Sequence, residues 1–303
     1  KRNKMKILIS GKNSQLGQKL LSFVKDSSHE FIFLESKDMN LKDPKNIKDV
    51  VDRYKPEVVL NLSAYTDVDN AEDNIDEVNL VNASGPKYFA AASQNINAYF
   101  LQISTDYVFG EFDSAPYSSL SKPGPLNSYG LSKLRGEINS LSSNNKSIIL
   151  RTSSLYSEFG NNFVKIVAKK LIQKEDLRVI SDQNISMTYA DDLVKALLVF
   201  INKEKLEYFI ARNPKPIIHY ANDGFTTWFD VAEEILENLN EYYEDLGTLT
   251  PISHTEWFSK ASRPIDSRLE IDYSLLKSLD IKLRPWKLGI NEVLKKVVGK
   301  KGN

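Results

Sequence analysis

The stretch Lys6-Ile7-Leu8-Ile9-Ser10-Gly11-Lys12-Asn13-Ser14-Gln15-Leu16-Gly17 decides the fold prediction. Its first five residues have the length and apolar character of a buried strand, and the apolar positions from Leu16 to Val24 recur at helical spacing. A strand, a glycine turn and a helix start, in this order, are typical of dinucleotide-binding folds, where backbone N–H groups and the positive helix end hold the pyrophosphate. The residues that we predict to bind a dinucleotide here are Gly11, Ser14, Gln15, Leu16 and Gly17.

Ser14 is the one departure from this pattern, because it stands where the usual fingerprint has its middle glycine. Serine is small, so a close approach of the phosphate is still compatible with the turn. A plain glycine turn into a helix, without a nucleotide, is the alternative interpretation of this segment alone.

The composition narrows the class of protein. The chain has 303 residues, 41% hydrophobic and 26% charged, with a formal net charge of zero, which is an ordinary globular composition. No charge excess indicates nucleic acid or an anionic membrane as a partner. Absence of Cys excludes disulfides, cysteine–zinc sites and thiol nucleophiles and agrees with a cytoplasmic location, and only three His argue against a His-rich metal site. No apolar run is long enough to cross a bilayer.

Further strands and helices alternate along the chain. Strands are predicted at residues 31–34, 57–62, 99–104 and 147–151, with helices between them, which favours an α/β, Rossmann-type, doubly wound parallel sheet covered on both faces. Ligands of such sheets lie at the carboxyl ends of the strands. The residues after these strand ends that we predict to line the cofactor site are Ser63, Ala64, Tyr65 and Ser104.

Glu35, at the end of the second predicted strand, bears on the choice of cofactor. An acidic residue about 20 positions after the glycine turn can bind both adenosine ribose hydroxyls, which favours NADH. Lys37 lies two positions further on and could instead meet the 2′-phosphate of NADPH. Both residues are predicted cofactor contacts, and the choice between NADPH and NADH stays open.

Tyr129 and Lys133 carry the predicted chemistry. On a helix, residues four apart share one face, so a phenol and an ammonium would point into the same space. A nearby positive charge should lower the pKa of the phenol and make it a usable proton donor, as in a carbonyl reductase. Tyr273 and Lys277 have the same spacing, but they follow a charged stretch that resembles a loop.

The pattern changes after Arg151. We predict a NAD(P)-binding domain over residues 5–153, rejoined by 182–203, and a smaller α/β substrate-binding domain formed by 154–181 and 204–303. Helices in the second part are predicted to start at Asn162 and at Thr227, the latter with a capping box to Asp230, and a last amphipathic helix spans 286–298.

Lined up in this way, the chain resembles the dTDP-4-dehydrorhamnose reductase family of the extended short-chain dehydrogenase/reductase superfamily, over nearly its whole length. The resemblance rests on the order and spacing of short motifs: Gly11…Gln15-Leu16-Gly17, Thr66 to Glu72, Ser104 to Phe109, Pro125 to Lys133, Arg151 to Ser153, Gly160 to Phe163, Asp182-Gln183, Thr226 to Trp228 and Arg263 to Leu269.

This resemblance implies that NADPH or NADH gives a hydride to C4 of a 4-keto-6-deoxy sugar nucleotide. Tyr129 would donate the proton, Lys133 would tune Tyr129 and bind the nicotinamide ribose, and Thr105 would stabilise the developing oxyanion. The expected ligand is the nucleotide-sugar substrate, and we expect a monomer or a homodimer. The residues placed on the substrate side are Thr66, Asp106, Tyr107, Ser154, Asn162 and Arg263.

Three departures from the family pattern stand out. Ser154 occupies a position where the family usually has Trp, and residues 184–188 replace a usual Gly-x-Pro-Thr loop. Both changes lie on the expected sugar side. Lys19 occupies a position where some members carry a glutamate that helps to bind Mg²⁺ between subunits, so no metal site is predicted.

Two other functions agree with parts of the sequence. A non-catalytic, NADP-binding regulatory subunit of the same fold, like the beta subunit of methionine adenosyltransferase, would agree with Ser14 and Ser154 but would not need the Tyr129–Lys133 pair. An epimerase or dehydratase acting on another nucleotide sugar would need a second acid or base near C3 or C5, and the sequence offers no clear candidate.

Overall fold

The computed structural model describes residues 4–112 and 114–298. The strands are β1 (Lys6–Ser10), β2 (Glu30–Leu34), β3 (Val58–Asn61), β4 (Tyr99–Thr105), β5 (Ser147–Thr152), β6 (Leu155–Tyr156), β7 (Leu177–Ile180), β8 (Asn184–Ser186), β9 (Thr188–Tyr189), β10 (Ile217–His219), β11 (Phe225–Thr227) and β12 (Leu249–Ile252). The helices are α1 (Gln15–Phe23), α2 (Pro44–Tyr54), α3 (Ile75–Asn79), α4 (Gly85–Asn95), α5 (Ser128–Ser143), α6 (Phe163–Ile172), α7 (Ala190–Phe200), α8 (Lys203–Arg212), α9 (Trp228–Leu239), α10 (Tyr273–Ser278) and α11 (Trp286–Val298).

Six parallel strands form the main sheet in the order β2-β1-β3-β4-β5-β10, which confirms the predicted doubly wound architecture. The order reverses between β1 and β3, so a crevice opens at the carboxyl ends of these strands, where doubly wound sheets bind their ligands. The main sheet therefore positions the ends of β1, β2, β3 and β4 around one site.

Alternating side chains bury both faces of this sheet. Ile7 and Ile9 join an apolar core that contains residues of α1 and α7, whereas Leu8 joins a second core with residues of α2 and α4. All three side chains are fully buried. Because successive strand residues point to opposite faces, one short apolar run can serve both cores.

The predicted helical region between β3 and β4 is interrupted. A π-helical segment, Leu80–Ser84, joins α3 to α4. Pro86 has no N–H to donate to the Asn82 carbonyl one turn earlier, which favours a local change of helix type. That carbonyl instead faces α5 at Gly136, where an added Cβ would lie 2.1 Å from it.

The second half of the chain builds a separate apolar core from α6, α9 and α11. The capping box of α9 between Thr227 and Asp230 is present, and α11 spans the predicted residues. However, Ile217–His219 forms β10 of the main sheet and pairs with β5. The part of the chain that returns to the sheet therefore reaches beyond residue 203, because Leu206, Phe209 and Ile218 are buried in the core beside β5. The division into two domains stays a prediction.

Candidate active site

The glycine turn after β1 has the conformation that a dinucleotide site requires. Gly11 has φ +77°, and an added Cβ would lie 2.8 Å from the Leu62 and Ser63 backbone. An added Cβ on Gly17 would lie 2.1 Å from the Gly11 carbonyl oxygen. Both positions need glycine, because the turn, the end of β3 and the first turn of α1 approach each other closely.

Ser14 caps α1. Its hydroxyl accepts a hydrogen bond from the Gly17 N–H at 3.0 Å and donates to the Gly11 carbonyl at 2.8 Å. The serine thus stabilises the turn from within, as an N-cap residue does. The Leu16 side chain is buried in the core, so only its backbone is available to a cofactor. The free N–H groups of the first turn of α1 remain suited to a phosphate.

A cleft of about 190 Å³ lies at the carboxyl ends of β1 to β3. Predicted cofactor residues that line it are Gly11, Glu35, Ser63 and Ala64. Its place at the reversal of strand order, beside the α1 N-terminus, fits the adenosine half of a dinucleotide.

Glu35 is held between two cations. It accepts a hydrogen bond from Lys12 at 2.7 Å and pairs with Lys37 at 3.2 Å, and these ammonium groups lower the pKa of its carboxyl. The mouth of the cleft therefore presents both an acceptor for ribose hydroxyls and cations for a 2′-phosphate. The sequence patterns did not reveal that Lys12 also contacts Glu35 at the cleft.

The loop after β3 is fixed by Asn82 in the π-helical segment. Its amide accepts from the Tyr65 N–H at 2.8 Å and donates to the Tyr65 carbonyl and to the Ser132 hydroxyl, both at 3.0 Å. Asn82 is 2% exposed. This residue ties the predicted cofactor loop to α5, and nothing in its sequence context indicated that role.

The N-terminus of α5 is capped twice. Asn127 accepts from the Gly130 N–H at 2.7 Å, and Glu72 accepts from both the N–H and the hydroxyl of Ser128, at 2.8 and 2.9 Å. These bonds satisfy the first N–H groups of the helix and fix its starting point. The helix therefore presents Tyr129 and Lys133 at the carboxyl end of β4.

Tyr129 lies beside two of the other predicted site residues. Its ring meets that of Tyr107 edge-on, with centroids 6.0 Å apart, and the Thr105 hydroxyl is a hydrogen-bonding neighbour of its phenol. Burial raises the pKa of Tyr129 above its ordinary value, and the Thr105 hydroxyl only partly opposes this shift. The predicted lowering of this pKa by Lys133 is thus wrong for this structure, since desolvation is the larger effect.

Lys133 is 5% exposed and donates a hydrogen bond to the Ile103 carbonyl at 2.7 Å. Burial lowers the pKa of Lys133 to about 8, while the Glu137 carboxylate acts in the opposite direction. Glu137 lies one turn further along the same face of α5 and is bound to Arg151 and Ser104. The ammonium is thus held by β4, the strand that delivers Thr105 to the site.

Asp106 lies at the floor of the site. It accepts a hydrogen bond from the Thr105 hydroxyl at 3.0 Å and is 3% exposed. Burial raises the pKa of Asp106 to about 6, against hydrogen bonds from Ser267 and Thr105. A carboxyl with this pKa is mostly ionised at pH 7 and accepts from Thr105, whereas its protonated form can donate to Thr105 instead.

Three of the predicted substrate residues, Arg263, Thr66 and Ser154, are partly or fully exposed. Arg263 lies at the rim, bound to Asp69 at 2.9 and 3.0 Å and close enough to the Tyr107 phenol to oppose the burial that raises the pKa of Tyr107 to about 12. Thr66 is exposed and Ser154 is partly exposed, with the Ser154 carbonyl bound to the Thr188 N–H.

The predicted contact of Asn162 with the substrate stays a prediction, and in this structure its amide has partners within the protein. Its oxygen caps α6 by accepting from the Lys165 N–H at 3.2 Å, and its nitrogen donates to Gln15 at 3.0 Å and to the Ser157 carbonyl at 2.8 Å. The amide of Asn162 is thus engaged within the protein, where it joins the α1 N-terminus to α6. The side-chain oxygen of Gln15 serves this joint, and the predicted role of Gln15 in cofactor binding stays a prediction.

Lys19 is 3% exposed and pairs with two carboxylates, Glu158 at 2.5 Å and Asp191 at 2.7 Å. Lys296 pairs with the same two residues at 3.3 and 3.2 Å. This cluster joins α1, α7 and α11. Within residues 4–112 and 114–298, no group of three or more acidic or His side chains could hold a metal ion.

The sheet order and the location of α5 beside the cleft are those of the Rossmann-type fold that nucleotide-sugar reductases and epimerases share. The chain belongs to the family described as RmlD substrate binding domain, whose model matches residues 5–298.

Individual relatives agree over nearly their whole lengths. The spore coat polysaccharide biosynthesis protein SpsK of Bacillus subtilis (strain 168) is 33% identical, with 95% of this chain and 96% of the relative covered. A crystal structure of a dTDP-4-dehydrorhamnose reductase from Clostridium acetobutylicum has a TM-score of 0.87 and 32% identity, covering 97% of this chain and 100% of that one. The dTDP-4-dehydrorhamnose reductase of Bacillus anthracis, solved in complex with NADP, has a TM-score of 0.86 and 30% identity, covering 97% and 100%.

No helix in the part of the chain that the structure describes has the length and apolar character needed to cross a membrane.

Proposed function

We propose that this protein reduces the C4 keto group of a nucleotide-activated 4-keto-6-deoxy sugar with NADPH or NADH. The foremost candidate reaction converts dTDP-4-dehydro-L-rhamnose to dTDP-L-rhamnose. The observation that carries the proposal is the position of Thr105, Tyr129 and Lys133 at the carboxyl end of β4, next to the dinucleotide cleft. The relatives named dTDP-4-dehydrorhamnose reductase support the substrate, and the Bacillus anthracis complex supports the cofactor.

Tyr129 is the proton donor in this proposal. When bound, the nicotinamide cofactor supplies the hydride, and the carbonyl oxygen then needs a proton. A raised pKa keeps the Tyr129 phenol protonated at neutral pH, so the residue enters the reaction with the proton that it must give. The Lys133 ammonium stabilises the phenolate that is left behind, and its pKa of about 8 keeps most of it charged at pH 7.

Thr105 has a single hydroxyl proton, which in this structure points to Asp106. To stabilise the oxyanion, Thr105 must turn that proton towards the substrate. A protonated Asp106 can donate to Thr105 and release it for this purpose. Asp106 and Tyr107 line the proposed sugar side, with Arg263 placed at the rim for the diphosphate, because its planar group can donate two parallel hydrogen bonds.

Cofactor preference follows from the groups around Glu35. Lys12 and Lys37 are cations that a 2′-phosphate would contact, and Glu35 is an acceptor for ribose hydroxyls. Because both kinds of group meet at one cleft, we propose that the protein uses NADPH and NADH alike. The values of kcat/KM with each cofactor test this directly.

The decisive test is a coupled assay of purified protein with several 4-keto-6-deoxy sugar nucleotides and each cofactor. Tyr129→Phe should reduce kcat by about 10² to 10⁴-fold, which is the usual range for losing a general acid. Tyr273→Phe is the matched control, because Tyr273 also has a lysine four residues later but is 58% exposed and donates to Asp223. Full turnover by Tyr129→Phe would refute the assignment.

The same assay separates the reductase from a non-catalytic regulatory subunit, which would bind the cofactor without turnover of any sugar nucleotide. A monomer or homodimer, a cytoplasmic location and a separate substrate-binding domain remain parts of the proposal. Light scattering of the purified protein tests the first of these.

A further inference from the structure

Asp69, in the segment after β3, accepts three hydrogen bonds from Ala261 and Arg263. It binds both terminal nitrogens of Arg263, at 3.0 and 2.9 Å, and the Ala261 N–H at 2.9 Å. These contacts, with the Arg263 hydrogen bond as the largest cause, lower the pKa of Asp69. Asp69 is thus a fixed anion at neutral pH, and it joins the segment after β3 to the segment before Arg263.

The bidentate contact determines how the guanidinium lies. With both terminal nitrogens engaged by one carboxylate, the plane of the group is set, and one of these nitrogens also donates to the Ala261 carbonyl at 3.2 Å. On its remaining edge the guanidinium has the Tyr107 phenol as a neighbour, and an anionic ligand would bind there beside this phenol. Asp69 and an anionic ligand can therefore bind Arg263 at the same time.

Arg263 is connected to the catalytic helix through Tyr107. Its guanidinium faces the Tyr107 phenol, and the Tyr107 ring packs edge-on against Tyr129, with an angle of 73° between the rings. The chain of contacts thus runs from Asp69 through Arg263 and Tyr107 to Tyr129. Each residue in this series contacts the residue named before it.

A second ion pair joins the same two segments without contacting Arg263. Lys260 pairs with Asp73, and both side chains are about half exposed, at 47% and 58%. Asp73 therefore serves as a natural comparison. If only the attachment of the two segments matters, then Asp69 and Asp73 should have equal effects.

We propose that Asp69 is a positioning residue for substrate recognition, which holds the Arg263 guanidinium and, through it, Tyr107 in the orientation that receives the diphosphate and sugar of the substrate. This role rests on the proposed function. Asp69 contacts neither the substrate nor the reacting atoms, and it acts only through Arg263.

The test compares Asp69→Asn, Asp69→Glu and Asp73→Asn in steady-state assays with the sugar nucleotide that the wild type turns over. Asp69→Asn should raise KM about tenfold, equivalent to about 1.4 kcal/mol, with kcat within about threefold of the wild type. Asp69→Glu, which keeps the carboxylate, should recover part of the loss. Asp73→Asn should stay within about twofold in KM. Equal KM values for Asp69→Asn and Asp73→Asn would overturn the proposal.

A double variant tests the route through Arg263. If Asp69 acts through Arg263, then Asp69→Asn in an Arg263→Lys background should add little to the effect of Arg263→Lys alone. If the increase in KM caused by Asp69→Asn is as large in the Arg263→Lys background as in the wild type, then Asp69 does not act through Arg263.

Calorimetric binding of dTDP to the same variants needs no turnover, so it tests the role of Asp69 separately from the reaction. Wild-type protein that binds dTDP but reduces no sugar would refute the proposed function alone. Asp69→Asn should then still weaken dTDP binding about tenfold relative to Asp73→Asn, and equal affinities would refute the role of Asp69.

Discussion

Replacement of Arg151 by Met should destabilise the protein more than any exposed ion-pair change. Arg151 lies at the carboxyl end of β5 and donates two hydrogen bonds to Glu137 of the catalytic helix, at 2.8 and 2.6 Å. Both side chains are only 2% exposed. The pair thus joins α5 to the main sheet beneath Tyr129 and Lys133, away from water.

The size of the expected loss in unfolding free energy follows from the burial of the Arg151–Glu137 pair. Removing one partner of a buried ion pair leaves the other as an unpaired charge in a medium that solvates it poorly, at a cost of about 3–5 kcal/mol. The Ser104 hydroxyl, which donates to Glu137 at 2.5 Å, can compensate only a part of that charge. Against a total unfolding free energy of about 5–15 kcal/mol, this is a large fraction. A double variant, Glu137→Gln with Arg151→Met, should cost much less than the two single changes added together, because neither charge is then left alone.

Urea denaturation followed by circular dichroism measures these free energies. Glu175→Gln serves as the matched control, because Lys170 and Glu175 form a pair in which each side chain is 46% exposed, and such pairs contribute about 1 kcal/mol or less. If Arg151→Met costs no more than Glu175→Gln, or if the two buried changes are additive, then the physical account of this pair is wrong.

Three further predictions concern the cofactor turn, the lysine and the buried charge cluster. Gly17→Ala should weaken NADPH binding at least tenfold in a fluorescence titration, because its Cβ would lie 2.1 Å from the Gly11 carbonyl oxygen; an unchanged Kd would contradict the close approach. The catalysed rate should fall as pH rises through about 8, because Lys133 then loses the proton that its role requires, whereas a flat pH–rate profile up to pH 9.5 would exclude Lys133 as the titrating group. Lys19→Met should lower the unfolding free energy by about 3 kcal/mol or more in urea, since two buried carboxylates then share one cation, and a change below about 1 kcal/mol would argue against the cluster.

Much of the site could be predicted from local patterns. The apolar run of β1 and the glycine turn indicated the dinucleotide cleft, and the structure puts Gly11, Glu35, Ser63 and Ala64 around it. Local hydrogen bonds also follow local sequence, which is why the capping box of α9 was predictable. These features depend on neighbours a few residues apart, and the sequence shows such neighbours directly.

Other features depend on contacts between distant segments. The roles of Asp69, Glu72 and Asn82 arise from partners 194, 56 and 17 residues away, in Arg263, Ser128 and Tyr65. Likewise, Asn162 has the spacing of a family ligand, yet its amide is used in capping α6 and in joining it to Gln15. A motif shows which residue types are present, but it does not show which of their hydrogen-bonding groups are already satisfied.

The amino-acid sequence by itself determined the alternation of strands and helices, the glycine turn and the Tyr–Lys spacing, since each depends on local periodicity and backbone conformation. Sequence context already set Tyr129 apart from Tyr273, which shares that spacing, but only the tertiary structure decided that Tyr129 is buried beside Thr105 while Tyr273 is exposed. It also reversed the predicted pKa shift of Tyr129, because the cost of burying a charge depends on how the whole chain excludes water from the site.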